Sequence, residues 1–193
     1  VNMDYPETPT YEDFLTGKTG NTINVDAVVE YIEGKTTYDF TGFEFATSEF
    51  AGGSEIAGNG STIVKLYYTR NSYELSVNVT NVKALAEAAV DGTYIYEKTI
   101  TLTFKTNKGY SLNKDTGIVI TNAEGTTLDD VPFTTSELEN EDGTKTITVM
   151  LTMPSKDITV KVMPEVNTHT KYTVVHKFQT KAMTSEYVED ENY

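Results

Sequence analysis

Thr146-Ile-Thr-Val-Met-Leu-Thr-Met153 decides the fold class, because its polar and apolar side chains alternate with a period of two and not at helical spacing. Glu141-Asp-Gly143 just before it is a hairpin signal, and Pro154 ends the run. Working outward, Thr99-Ile-Thr-Leu-Thr-Phe104 alternates strictly and Asn107-Lys-Gly109 turns it. Tyr73-Glu-Leu-Ser-Val-Asn-Val79 puts Tyr73, Leu75, Val77 and Val79 on one face, while Gly117-Ile-Val-Ile120 and Ile158-Thr-Val-Lys-Val162 read as further strands. The exception is Val82-Lys-Ala-Leu-Ala-Glu-Ala-Ala-Val90, where Val82, Leu85, Ala86 and Ala89 fall at helical spacing before Asp91-Gly92. A strand-rich module over residues 73–166 with one short helix is the expectation.

Residues 1–72 read as a separate β-rich module. Asn21-Thr-Ile-Asn-Val25 alternates as a strand would, while Asp26-Ala-Val-Val-Glu-Tyr-Ile-Glu33 equally suits a short helix broken at Gly34. Thr41-Gly-Phe-Glu-Phe45 is a short strand, and Gly52-Gly53 and Gly58-Asn-Gly60 mark turns. Ser61-Thr-Ile-Val-Lys-Leu-Tyr-Tyr68 is the longest strand, with Ile63, Lys65 and Tyr67 on one face and Val64, Leu66 and Tyr68 on the other. Apolar residues on both faces imply a central strand or an edge covered by a neighbour. Residues 167–193 read as a polar linker, Asn167-Thr-His-Thr-Lys171, then a strand, Lys171-Tyr-Thr-Val-Val-His-Lys-Phe-Gln179. That strand reads as the opening of a further module, and the first module reads as one without its opening strand, so the chain looks like a window on a tandem array. An open edge invites pairing through residues 171–179, within the chain or with a neighbour.

Composition narrows the function classes. The 193 residues carry 15 Lys and Arg against 29 Asp and Glu, and a net charge of -14 repels nucleic acid and anionic membranes. There is no Cys, which excludes disulfides, thiol catalysis and thiolate metal sites. No apolar run approaches the roughly 18 residues of a membrane span. The opening residues lack the basic and apolar parts of a signal peptide, so export would depend on segments outside this stretch.

Leu15-Thr-Gly-Lys-Thr-Gly20, Tyr38-Asp-Phe-Thr-Gly-Phe43, Ala57-Gly-Asn-Gly-Ser-Thr62 and Val64-Lys-Leu-Tyr-Tyr-Thr-Arg-Asn-Ser-Tyr73 together resemble the internalin-type B-repeat, or Listeria-Bacteroides repeat, and the related mucin-binding-protein repeats. Lys171 to Tyr193 resembles the first third of another copy. Lys108-Gly-Tyr110, Glu141-Asp-Gly-Thr144 and Leu151-Thr-Met-Pro-Ser-Lys-Asp-Ile-Thr-Val160 resemble a divergent repeat of large Firmicutes surface proteins; the Ala-rich run 84–90 departs from that pattern. The resemblance implies a β-grasp-like first module and a β-sandwich-like second one on a secreted or cell-wall-anchored protein of a Gram-positive bacterium, with no catalytic residues and no cofactor.

Chemistry-bearing residues were weighed against structural roles. His169 and His176 lack metal-ligand spacing, and Ser54, Ser61 and Ser136 lack a nucleophile motif. Glu137-Leu-Glu-Asn-Glu-Asp142 is a solvated hairpin tip or a weak calcium loop, its spacing departing from the usual calcium pattern. Glu186-Tyr-Val-Glu-Asp-Glu-Asn192 reads as an exposed acidic run. Lys65 and Lys161 are conceivable partners in an intramolecular isopeptide bond, although no acid is placed beside them. Exposed rings remain: Tyr94, Tyr96, Tyr67 and Tyr68 are the first candidates for stacking on sugars, with Tyr5 and Tyr11 behind them. The competing reading is that these rings fill small cores without Trp. The functional expectation is a non-catalytic surface stalk or spacer with adhesive contacts to host mucin or glycans; the alternatives are a dedicated glycan-binding module or an accessory region of a secreted glycan-active enzyme.

Overall fold

The strictly alternating segments form strands in the computed structural model, which describes residues 5–179 and 187–189. The fold is mainly β, with several sheets and one α-helix. That helix, α1 (Val25–Glu33), settles the ambiguity around residues 21–33. Asn24 caps it, its side-chain oxygen accepting from the Ala27 N–H at 3.3 Å, and Gly34 closes it. The preceding residues contribute one bridge, Thr22 to Glu55, instead of a strand.

Strands β1 (Phe43–Ala51) and β2 (Ile63–Arg70) pair antiparallel, with an irregularity between Phe45 and Thr47. Among the described residues they form a two-stranded sheet, so β2 is an edge and not a central strand. Its two apolar faces are served by neighbours: Tyr5 lies against Tyr67 on one side, and Phe40 against Tyr68 on the other. Among its described residues no apolar side chain of this module is fully buried.

The second module contains β3 (Ser72–Val79), β4 (Leu85–Glu87), β5 (Gly92–Ile95), β6 (Thr99–Thr106), β7 (Tyr110–Ser111), β8 (Ile118–Thr121), β9 (Phe133–Glu139), β10 (Lys145–Thr152), β11 (Ile158–Val162) and β12 (Glu165–Val166). Two four-stranded sheets, ordered β4-β6-β10-β9 and β5-β3-β11-β8, supply the sandwich, and β7 pairs with β12. Inward residues of both sheets make one core: Ile100, Leu102 and Phe104 of β6, Ile147, Val149 and Leu151 of β10, Leu75 of β3, and Ile158, Val160 and Val162 of β11. Every buried apolar side chain among the described residues lies between Leu75 and Pro164. The hairpin forms at its expected tip, with Gly143 at φ 77° and its N–H donating to the Asn140 carbonyl at 2.9 Å.

The expected helix over residues 82–90 is absent. Val82–Ala84 make one 3-10 turn, and Leu85–Glu87 leave it as β4, pairing with β6. Asn107 explains the outcome, its backbone N–H donating to the Ala84 carbonyl at 2.7 Å and its side-chain amide to Lys83 at 2.9 Å. Ala84 and Leu85 are both buried, and nine residues are too few for a stable helix without a packed face, so pairing with the sheet overrides propensity.

Chain direction through the sandwich positions its two connections. β3 and β11 are adjacent and parallel, Ile158 opposite Leu75 and Val162 opposite Val79. The chain therefore enters at the pole of Ser72, beside the first module, and leaves at the pole of Val162, Glu165 and Val166. Eight residues of β3 separate the poles by roughly 25 Å at strand rise. Beyond, residues 171–176 hold no strand, contrary to expectation; among the described residues pairing there is confined to β13 (Lys177–Gln179) with β14 (Tyr187–Glu189). The rest of the acidic run 186–192 lies outside the described residues.

Candidate functional site

Tyr67 and Tyr68 are neighbours on β2 and therefore face opposite sides of the sheet. The Tyr67 hydroxyl donates to Glu49 Oε2 at 2.9 Å, and its ring meets Tyr5 with centroids 4.6 Å apart. Tyr68 packs between Phe40, at 4.7 Å, and Phe45, at 5.9 Å. Its buried hydroxyl makes no hydrogen bond of normal geometry; burial first, and then the nearby Glu33 carboxylate, push its pKa up to about 12.

Tyr94 lies on β5 opposite Tyr73 and packs against the sandwich core. Tyr96 follows that strand and is built into the junction between the modules. Its N–H donates to the Asn71 carbonyl at 2.8 Å, while the Asn71 N–H donates to Gly42 at 2.8 Å. The Tyr96 ring covers Gly42 so closely that a Cβ there would fall 2.4 Å from ring carbons. Phe43 meets the same ring edge-on at 5.7 Å. Arg70 lies over the Phe43 ring at 5.3 Å and bonds Glu97 at 3.1 Å. Glu97 holds φ 63°, the one positive φ outside glycine among the described residues. The four candidate rings thus occupy separate surroundings and form no common platform.

A different group of rings does come together, at the turn after α1. Tyr11 lies on Tyr38 with centroids 4.5 Å apart and an interplanar angle of 33°. Asp13 forms an ion pair with Lys35 and accepts from the Tyr38 hydroxyl at 3.2 Å. The Lys35 ammonium lies 4.9 Å from the Tyr31 ring centroid, a cation–π contact. The hydrogen bond from Lys35 holds Asp13 below the ordinary carboxylate range, and the same bond raises Lys35. Loss of surrounding water, and then Asp13, raise Tyr38. Tyr11 and Tyr31 remain about half exposed, and Phe14, next to Asp13 in the chain, is 87 % exposed.

The chain reaches this arrangement through an irregular strap. The Gly20 N–H donates to Ile56 at 2.9 Å, the Ile56 N–H to Asn21 at 3.0 Å and the Ile23 N–H to Ser54 at 2.9 Å, which ties residues 20–23 to the 54–56 loop. Sequence reasoning named Tyr11 but missed Tyr31, Lys35 and Tyr38, which depend on how this strap passes the helix. The one available signal was Lys35 just past Gly34, where a cation meets a helix C-terminus. Ring faces beside a carboxylate and an ammonium can stack on sugar C–H surfaces and bond hydroxyls.

Other candidates have structural partners. Asp142 Oδ1 accepts from the Thr144 N–H at 2.9 Å and hydroxyl at 2.5 Å, and Glu137 pairs with Lys145 at 2.5 Å, so two carboxylates of the acidic tip hold the hairpin. No three His, Asp or Glu side chains among the described residues are placed to hold a metal ion. His169 meets the Thr168 hydroxyl at 2.8 Å in the connection, and His176 is exposed. Lys65 is exposed opposite Glu49, and Lys161 Nζ reaches the Gly125 carbonyl at 3.5 Å; neither is enclosed as an isopeptide bond requires. No helix among the described residues is long and apolar enough to cross a membrane. Compared with known proteins, the chain matches no family model, no curated protein and no solved structure.

Proposed function

We propose that this chain is a non-catalytic stalk segment of an extracellular protein, secreted or anchored in a Gram-positive cell wall, that spaces a distal part from the surface and adds weak adhesive contacts. The observation that carries this reading is the parallel pairing of β3 with β11, which makes the chain enter and leave the sandwich at opposite poles. Modules connected that way lengthen a polypeptide, whereas connections at one pole would fold it back. The packed junction of Gly42, Phe43, Arg70, Tyr96 and Glu97 supports it by restricting the angle between modules. The resemblance of about the first 73 residues to B-repeats points the same way. Small-angle scattering tests it: an extended particle with a maximum dimension near the sum of both modules is expected, and a folded-back particle of about one domain's radius of gyration overturns it.

A second reading, contact with mucin-type or cell-wall glycans, is favoured by the exposed rings of Tyr11, Phe14 and Tyr31 beside Asp13 and Lys35. Single contacts of this kind are weak, and repetition along an array raises avidity. A Tyr11→Ala, Tyr31→Ala double variant tests this site, and a Tyr94→Ala, Tyr96→Ala variant tests the rings named from sequence. Saturable binding to immobilised mucin lost only in the first variant supports the helix-turn site. Binding unchanged in both, or undetectable in the parent chain, refutes it.

A further inference from the structure

We propose that the β3–β11 pair is a shear clamp that makes the second module a load-bearing unit. The inference rests on the stalk reading, since only a tethered chain is pulled from its ends, but the geometry is independent of what the stalk carries.

Tension enters at Ser72, the start of β3, and leaves after Val162, the end of β11. These two strands are direct neighbours in the centre of their sheet, with β5 outside one and β8 outside the other. Their parallel register runs through five residue pairs, from Leu75 with Ile158 to Val79 with Val162. Force applied at opposite poles therefore acts along the strands, in opposite directions on two adjacent ladders. No single hydrogen bond can yield first: the whole set must slip together. A pull from one pole would load those bonds one after another.

Packing reinforces the clamp. Leu75 of β3 and Ile158, Val160 and Val162 of β11 point into the core, and Val77 and Val79 pack against it. Sliding either strand by one residue would bring the polar positions Ser76, Thr159 and Lys161 toward that core, because side chains alternate faces. A second fastening holds the entry end, where Asp157 Oδ1 accepts from the Glu74 N–H at 2.8 Å. A third holds the exit, where the Thr80 N–H donates to the Val162 carbonyl at 3.0 Å. The first module is built differently, with a hairpin whose adjacent ends unzip and, among its described residues, no fully buried apolar side chain.

The chain has no Cys, so introduced pairs give unique handles for single-molecule pulling on the full chain. Ser72→Cys with Glu165→Cys applies shear across β3 and β11. Ser72→Cys with Ser155→Cys pulls the same two strands from one pole. At equal loading rate the shear pair is expected to unfold at no less than about twice the force of the peeling pair, forced unfolding being governed by the unfolding barrier along the pulled direction. Equal thermal midpoints for the two double variants confirm that direction, and not altered stability, separates them. Equal forces, or a weaker shear pair, overturn the clamp. Failure of the stalk reading shows elsewhere, as a folded-back particle in scattering, and leaves this comparison intact.

Discussion

Gly42→Ala acts on the junction at two points that can be separated. Gly42 has φ 77°, so an alanine there meets the left-handed backbone cost of roughly 1–2 kcal/mol. The new methyl would also lie 2.4 Å from the Tyr96 ring, far inside the usual carbon contact, so the ring must move. Moving it forfeits the edge-on contact with Phe43, worth about 0.5–1.5 kcal/mol. The combined loss, roughly 1.5–3.5 kcal/mol, raises the opening equilibrium of the junction about 10- to 300-fold at 1.4 kcal/mol per decade. Hydrogen exchange read by NMR at the Asn71 and Tyr96 amides measures this directly, since both donate across the junction at 2.8 Å. In a Tyr96→Ala background the steric part vanishes and only the backbone cost remains, so the same Gly42→Ala change should accelerate exchange by only about 5- to 30-fold. Equal acceleration in both backgrounds would refute the claim that the ring and the glycine are matched to each other.

Four further outcomes are expected. Phe104→Ala, at a fully buried core position, should destabilise the sandwich by about 3–5 kcal/mol in urea denaturation, most of what a small domain possesses. Tyr68 has a folded pKa raised to about 12, so it binds its proton more tightly folded than unfolded; its contribution is full below pH 10 and is lost between 10 and 12. Absorbance titration should show a late tyrosinate step missing in Tyr68→Phe, and partial exposure reduces the associated stability to on the order of 1 kcal/mol. Asp13 is held low by Lys35, so its stabilising charge is present above the ordinary carboxylate pKa and lost as pH falls through the folded value; Lys35→Gln should return its carboxyl carbon titration to the ordinary range. Val174 is 60 % exposed in a stretch of strand-like alternation, and if residues 171–179 pair with another copy, Val174→Pro should abolish a concentration-dependent mass increase in sedimentation; a parent chain fixed at its monomer mass removes that proposal.

Segments with a strict period of two were legible, because alternation is a local property: residues 99–104 and 158–162 bury every second side chain as read. Residues 82–90 were not. Their spacing suits a helix, but the backbone groups of β6 and the side chain of Asn107 compete for them, and both come from later in the chain. The same limit applied to the rings. Tyr94 and Tyr96 alternate as a shared face would, yet the strand ends at Ile95, and Tyr96 is claimed by Gly42 and Phe43 from the other module. Nothing local to Gly42 says that a ring will cover it. Tyr31, Lys35 and Tyr38 lie close together in sequence, but their use as a site depends on Tyr11 and Asp13 arriving over them on an irregular strap held by the 54–56 loop.

The unequal construction of the two modules bears on how an array would hold together. The second module closes its own core between two sheets, whereas the first has one helix and a hairpin and leaves no apolar side chain among its described residues fully buried. A two-stranded sheet is marginal by itself in water. The first module therefore depends on what surrounds it: Tyr5 on one face, the strap over α1, and the junction with the sandwich. Residues 5–70 contain more than twice as many Asp and Glu as Lys and Arg, while residues 171–178 contain two Lys and no acid, with Tyr172, Val174 and Phe178 exposed. That segment leaves from the pole opposite its own first module. Opposite charge and exposed apolar side chains suit that segment to the surface of a first module, and because it leaves from the far pole any such pairing would be with another copy, the association that the Val174→Pro variant tests.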